Sequence, residues 1–153
     1  MGLDMYLHAE RFLSDYFTKG DDEKAKQIQK LFPELVDANV RKVIFEVGYW
    51  RKANAIHNWF VTNVQEGVDD CGNYHVSREK LQELKVLVEE VIDSYKKKNK
   101  NVIKSILPPT SGFFFGSTEI DEYYIQDMNS TKEILNKALS MPENVDFVYH
   151  SSW

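Results

Sequence analysis

The alternation of apolar and polar residues at both ends of the chain is the sequence feature that most constrains its fold. Within residues 2–8, Leu3 and every second residue after it are apolar, and the residues between them are polar or aromatic. Residues 145–150 alternate similarly, as do residues 41–48. A two-residue period is typical of strands with one buried face. We therefore expect a small, mostly antiparallel sheet that includes both chain termini.

Helical periodicity occupies much of the sequence between these strands. Asp21 or Asp22 is expected to cap a first helix whose apolar face extends to Phe32 and which ends at Pro33. A longer helix is predicted over residues 78–98, where apolar residues recur every three or four positions. We interpret this stripe as core packing, and a homodimer seam is the alternative.

Two further helices are predicted beside the most unusual segments. One covers residues 49–62. The other begins at Thr118, breaks near Asn129 and restarts at a capping box formed by Ser130 and Glu133. Strands at both termini with helices between them indicate an α+β fold, in which helices pack on one face of the sheet. With 153 residues, we expect a single domain of residues 1–153.

Composition excludes several classes of protein. The chain has 19 Lys and Arg against 24 Asp and Glu, a net charge of −5, which argues against general binding of duplex nucleic acid. The single cysteine, Cys71, excludes an internal disulfide. No apolar run approaches the roughly 20 residues needed to cross a bilayer, and the N-terminus lacks a signal pattern. We therefore expect a cytoplasmic protein without membrane association.

The run from Val47 to Phe60 concentrates polar side chains among large aromatics. We predict that one helix face there binds a ligand through the following side chains: Trp50, Arg51, Asn54, His57 and Asn58. An indole can stack on a base, a guanidinium can bind phosphate, and amides can read the donors and acceptors of a heterocycle. The alternative is that Trp50 belongs to the core and that Asn54 and His57 satisfy neighbouring backbone groups.

A second unusual segment, residues 106–118, contains paired prolines and two glycines that bracket Phe113, Phe114 and Phe115. We predict an anion site formed by Gly116, Ser117 and Thr118 at a helix N-terminus, where free backbone N–H groups favour phosphate. The alternative is a hydrophobic loop that plugs the core. Either Tyr123 or Tyr124 is expected to enclose the base from the side opposite Trp50.

Enzymatic alternatives are less well supported by the sequence. A small phosphoester or glycosidic hydrolase would use His57 with Asp121 or Glu119. Metal ligands could come from His57, Asp69, Asp70 and His75, but no pair has a diagnostic spacing, so we predict neither a metal nor a cofactor. A protein–protein inhibitor of a host enzyme is a further alternative, since the chain is acidic.

Three segments carry a resemblance to small proteins encoded by bacteriophages and prophages: Met1 to Leu7, Val47 to Phe60 and Phe114 to Asp121, together with the terminal Ser-Ser-Trp. The resemblance implies expression in the cytoplasm of a bacterial host and no particular mechanism. Our leading hypothesis is a protein that binds a nucleotide-type small molecule without turnover and sequesters a host immune signal. We leave open whether it acts as a homo-oligomer.

Overall fold

The computed structural model describes residues 2–112 and 116–153, so the predicted phenylalanine plug at residues 113–115 lies outside the described residues. The elements in chain order are as follows: β1 (Asp4–Phe12), α1 (Asp21–Gln29), a short 3-10 turn (Pro33–Leu35), β2 (Lys42–Arg51), α2 (Asn54–Asn63), β3 (Asn73–Val76), α3 (Arg78–Lys96), α4 (Lys100–Ile106), α5 (Glu122–Leu139) and β4 (Asp146–Ser152). The predicted α+β class is confirmed.

The four strands form one antiparallel sheet in the order β2-β1-β4-β3. The first and last strands of the chain are therefore paired with each other at its centre, as the terminal alternation predicts. One face of β1 carries the fully buried Met5 and Leu7, whereas Tyr6 and His8 on its other face are only half-buried. The helices cover the first face, and the second face stays open.

A β-bulge at Val47 interrupts the pairing of β1 with β2. Gly48 lies opposite Leu7 and Glu46 lies opposite the next residue, His8, so that Val47 is the extra residue. Helix α5 packs closely here, because a Cβ atom added to Gly48 would lie 2.3 Å from Cγ2 of Ile134. Glycine is required at this position by the close approach of α5, which in turn positions the cavity described below.

The long helix α3 supplies its apolar stripe to the core. Leu81, Leu84, Val88 and Val91 are all completely buried, and α3 packs mainly against α5. This burial confirms the core interpretation of the stripe, and these residues cannot form a homodimer seam. Ser77 caps the helix as expected, since its Oγ accepts a hydrogen bond from the backbone N–H of Lys80.

Helix α2 begins later than predicted. The helix expected over residues 49–62 is wrong in its first turn, because β2 continues to Arg51 and pairs Tyr49 with Tyr6 and Trp50 with Met5. The helix itself begins at Asn54. Sheet pairing therefore overrides the local helical period at the residues where we expected the binding face to begin.

Helix α5 also differs from the prediction, because it is continuous through the expected break near Asn129. The side chains of Asn129 and Thr131 each bond to the carbonyl four residues earlier, Ile125 and Asp127 respectively, so that both residues fit within a helix. The helix starts four residues after Thr118, and the cap is Asp121, whose Oδ1 accepts from the N–H of Tyr124 at 3.0 Å.

The first predicted helix is shorter than expected. It ends at Gln29, and Gly20 rather than an aspartate occupies its N-cap position. Leu31 and Phe32 lie beyond its end and are 73% and 46% exposed. The apolar face predicted to reach Phe32 is therefore not buried against the rest of the described chain.

Candidate functional site

A cavity of about 300 Å³ lies where the end of β2, the start of α2, residues 116–121 and the first two turns of α5 meet. Six of the predicted ligand-binding residues line it: Arg51, Asn54, Gly116, Ser117, Tyr123 and Tyr124. They come from three separate parts of the chain. The cavity therefore brings together the two segments that the sequence singles out.

The corner between β2 and α2 forms the basic part of the cavity. Arg51 ends the strand, and Lys52 follows it in the left-handed region with a φ of 58°. The N–H of Lys52 donates to the carbonyl of Leu3 at 2.8 Å, which ties the corner to the start of β1. Both residues are exposed and border the cavity. They can therefore meet an anionic group of a ligand.

Asn54 connects this corner to the opposite loops. Its side-chain amide donates to the carbonyl of Ser117 at 2.8 Å, and its Oδ1 accepts from the N–H of Thr110 at 2.9 Å. The residue is 6% exposed. These contacts match the alternative in which Asn54 satisfies neighbouring backbone groups. Its principal role here is to hold residues 110 and 117 beside α2.

The two adjacent tyrosines of α5 differ in environment. Tyr124 is buried, and its hydroxyl donates to the carbonyl of Leu107 at 2.7 Å. Burial raises the pKa of this phenol well above its usual range. Tyr123 is 77% exposed at the cavity. Of these two tyrosines, Tyr123 is the one whose ring face is accessible for stacking.

Three carboxylates, Glu119, Asp121 and Asp127, face the same cavity as Arg51 and Lys52. Burial, with a smaller contribution from the negative charge of Asp121, raises the pKa of Asp127 to about 6. Asp121 is committed to capping α5. The cavity thus combines cations from the strand end with carboxylates from α5 and the segment before it.

Trp50 does not line the cavity. It is 3% exposed, and its indole N–H donates to Oγ1 of the buried Thr131 at 2.8 Å. Its side chain packs towards the core because Trp50 faces the same side of the sheet as Met5. Trp50 therefore cannot stack on a base in this cavity, and it belongs to the core, as in the alternative interpretation of the sequence.

His57 also lies away from the cavity. It is 1% exposed, its Nδ1 lies 2.7 Å from the hydroxyl of Tyr149, and its Nε2 lies 3.0 Å from Oδ1 of Asp69. Burial lowers the pKa of the imidazole, while the carboxylate of Asp69 acts in the opposite direction. His57 does not line the cavity that Asp121 and Glu119 border, so the structure does not show the hydrolase residues of the sequence prediction in one site.

Two other predicted residues do not border the cavity. Asn58 is half-buried and Thr118 is exposed, and neither belongs to the lining. The predicted position of Gly116, Ser117 and Thr118 at a helix N-terminus is wrong, because α5 begins at Glu122 and its first turn is capped by the carboxylate of Asp121. A capping carboxylate occupies the position that a bound phosphate would need.

Three of the four residues considered as metal ligands, His57, Asp69 and Asp70, have other contacts. Asp69 contacts His57 and accepts from the indole N–H of Trp153 at 3.2 Å, and Asp70 accepts from the hydroxyl of Tyr74 at 2.9 Å. Within residues 2–112 and 116–153, no three His, Cys, Asp or Glu side chains converge as a metal-holding group. The His57 and Asp69 contacts instead fasten the end of the chain to α2.

Sequence reasoning missed Lys52 and Asp127 as lining residues. A signal for Asp127 exists, since it lies three and four residues after the two tyrosines and therefore shares their side of the helix. Lys52 is an exposed lysine next to Arg51, and no spacing or motif in the sequence marks it as a lining residue.

No protein-family model, curated protein or solved structure matches this chain. Its function must therefore be inferred from the chemistry of the site. In the part of the chain that the structure describes, none of the helices has the length and apolar character required to cross a membrane.

Proposed function

We propose that this protein binds a nucleotide-type small molecule in the cavity between the β2–α2 corner and α5, and holds it without turnover. The observation that carries the proposal is the composition of the cavity. Two cations, Arg51 and Lys52, an accessible aromatic ring, Tyr123, and half-buried carboxyl groups such as Asp127 border one space of about 300 Å³. This volume is at the lower end of small-molecule sites and suits one nucleotide unit.

Each part of a nucleotide has a chemical counterpart in the cavity. Arg51 and Lys52 provide the positive charge and the donors that a phosphate requires. The exposed ring of Tyr123 can stack on a base. The carboxylate of Asp127 accepts hydrogen bonds and donates none when it is ionised. This combination accounts for a ligand that has an anionic end, a flat ring and N–H donors.

The carboxylate favours one type of base. Guanine presents two adjacent N–H donors on its pairing edge, whereas adenine presents a donor next to an acceptor. An ionised Asp127 can accept both guanine donors, but it is mismatched with the acceptor of adenine. Two acceptors that face each other in a partly buried site, so that neither has a donor, cost about 1–3 kcal/mol. We therefore expect guanine nucleotides to bind more tightly than adenine nucleotides.

Retention without turnover is supported by the position of His57. The sequence offered this residue as the general base of a hydrolase, but it is bound by Tyr149 and Asp69 and does not line the cavity. A protein of phage or prophage type that holds a nucleotide intact would lower its free concentration in the host. Sequestration of a host immune signal is the role that we propose in that context.

The binding test uses calorimetric titration with guanosine monophosphate, adenosine monophosphate and guanosine. We expect the first to bind most tightly, with Arg51→Ala weakening it by about tenfold to a hundredfold, as for loss of a charge-assisted hydrogen bond. Arg51→Ala should weaken guanosine much less, since guanosine lacks the phosphate. Arg41→Ala is the matched control, because Arg41 is also exposed and does not border the cavity.

A second pair of variants tests stacking. Tyr123→Ala should weaken all three compounds, whereas Tyr16→Ala, at a tyrosine that is 87% exposed elsewhere, should weaken none. Mass spectrometry of the recovered nucleotide should show it unchanged. Absence of binding by any of the three compounds, or equal effects of the Arg51 and Arg41 variants, would contradict the proposal.

A glycosidic hydrolase is the second candidate, and one observation favours it. The pKa of Asp127 is raised to about 6, while the neighbouring Asp121 and Glu119 are further carboxyl groups in the same cavity. Such enzymes use two carboxyl groups that flank the substrate for their acid and base steps. Release of free base from a nucleoside, lost in Asp127→Asn, would establish this candidate in place of simple binding.

A further inference from the structure

An apolar surface lies at the end of the sheet where β1 leads into β2. Nine large apolar side chains within residues 12–45 are exposed by 43% to 87% and form what we call the hairpin-end surface: Phe12, Tyr16, Phe17, Leu31, Phe32, Leu35, Val36, Ile44 and Phe45. The connection that carries most of them leaves β1 after Phe12 and returns to β2 at Lys42, and its two ends are joined by the N–H of Leu13 and the carbonyl of Arg41, 2.9 Å apart.

The summed exposure of these nine side chains is large for a monomer exterior, although Ile44 and Phe45, as neighbours on β2, lie on opposite faces of the sheet. A large aromatic side chain offers roughly 150–250 Å², so nine apolar residues at these exposures present on the order of 1,000 Å² per chain. The largest apolar patch of a typical monomer is roughly 300–600 Å². A standard protein interface covers roughly 800 Å² on each partner. The nine side chains lie on both faces of the sheet, and together they expose enough apolar area to contribute most of one side of a stable interface.

The same end of the molecule has an unpaired strand edge. β2 is the outer strand of the sheet, and within the described chain it pairs with β1 on one side only. Residues 42–46 precede the bulge and are regular, and Ile44 and Phe45 among them are 54% and 53% exposed. An apolar outer strand with free backbone groups readily pairs with another strand. The outer strand at the other edge, β3, has four residues.

We propose that the occupant of this surface is a second copy of this chain, paired antiparallel through β2 about a two-fold axis at Ile44. In that register Ile44 of each copy lies opposite Ile44 of the other, and Val43 lies opposite Phe45. Lys42 of each copy then lies opposite Glu46 of the other. A two-fold axis perpendicular to the sheet keeps the open faces of both copies on the same side, giving one continuous eight-stranded sheet.

Charge selects this register among its neighbours. An axis at Phe45 would place Ile44 opposite the charged Glu46, and an axis at Glu46 would place the two Glu46 carboxylates against each other. Like charges directly opposite are destabilising, and opposite charges are stabilising. The axis at Ile44 alone among these three makes two opposite-charge pairs around an apolar centre. In the register with its axis at Ile44, the connection between β1 and β2 of each copy would also lie beside residues 47–51 of the other copy.

The oligomeric state is measured first, by light scattering during size exclusion and by sedimentation over a range of concentrations. We expect a dimer that dissociates on dilution. Ile44→Lys should weaken the dimer by about tenfold or more, because it places two ammonium groups against each other at the axis. Val86→Lys is the matched control, since Val86 is 52% exposed on α3. Circular dichroism verifies that both variants are folded.

A charge exchange tests the register itself. Lys42→Glu leaves two glutamates facing each other across each pair, and Glu46→Lys leaves two lysines, so each variant alone should dimerise about tenfold less tightly. Mixing the two variants should restore association as a mixed dimer, because both pairs across the two-fold axis then have opposite charges, while the loss of the Lys42–Glu10 ion pair within the Lys42→Glu chain is the same with and without mixing. A monomeric wild-type protein at all concentrations overturns the proposal. A dimer that neither Ile44→Lys nor the charge exchange affects overturns it as well.

Discussion

The substitution Asp127→Asn should stabilise the protein while weakening its ligand binding. Burial raises the pKa of the Asp127 carboxyl from its ordinary value of 3.8 to about 6, so the fold disfavours the ionised form. Asparagine has nearly the same shape and carries no charge at any pH. Replacing the carboxyl therefore removes an electrostatic cost from the folded state, in a cavity where the ionised carboxylate is expected to serve the ligand.

The magnitude follows from the linkage between proton binding and folding. Between about pH 4 and pH 6, the folded state holds a proton on Asp127 that the unfolded state has lost, so the free energy of unfolding falls as the pH rises through this window. The rise in pKa corresponds to about 3 kcal/mol between the two protonation states. Since the side chain keeps contact with solvent, we expect a discounted difference of about 1–2 kcal/mol at pH 8.

Urea denaturation of the wild type and Asp127→Asn at a series of pH values measures this difference. The two proteins should approach equal stability near pH 3, where Asp127 is mostly protonated in the folded and the unfolded state, and should diverge up to about pH 7. Asp37→Asn is the control, because Asp37 is exposed and does not border the cavity. Equal stability of Asp127→Asn and wild type at pH 8, or a gap that does not change with pH, would refute the reasoning.

Three other substitutions have expected effects that denaturation measures. Thr131→Val removes the acceptor of the Trp50 indole N–H and leaves that buried donor unpaired, which should cost about 1–3 kcal/mol; retained wild-type stability would contradict this role. Gly48→Ala places a Cβ 2.3 Å from the β-branched Ile134 and should cost about 1–3 kcal/mol, and Ile134→Ala in the same chain should recover part of it. Asn54→Ala loses the hydrogen bonds to Ser117 and Thr110, so it should lower the free energy of unfolding and weaken nucleotide binding together. A change in only one of these two quantities would contradict the role of Asn54 in holding the loops at the cavity.

The strands were largely predictable because their information is local. A two-residue period is present within each segment, and both terminal segments lie at the centre of the sheet, where one face must be buried. The end of β2 was not predictable in this way. Tyr49 and Trp50 have a helix-like apolar spacing with the residues that follow, but their structure is decided by pairing with Tyr6 and Met5, more than 40 positions earlier.

The candidate site was predictable as a set of segments and not as a geometry. The sequence identified Arg51 and Ser117 because their segments have unusual composition. It could not show that Trp50 faces the core, because the strand continues through Trp50 and Arg51, and two adjacent strand residues face opposite sides of a sheet. Whether such a side chain reaches solvent depends on which elements cover that side, and only the tertiary structure determines this.

A carboxyl group that the fold holds at a cost in stability is itself an argument about function. Above pH 6, a neutral residue of the same size at position 127 of α5 would make the folded state more stable than Asp127 does. Asp127 borders the cavity, and within the described chain no cationic side chain pairs with it to offset the cost of its burial. Residues that serve a ligand are commonly retained against stability in this way. If a guanine nucleotide donates two hydrogen bonds to the ionised carboxylate, the bound complex should recover the lost free energy. Asp127→Asn should then be more stable than the wild type without the nucleotide, and this advantage should shrink or reverse when saturating nucleotide is added.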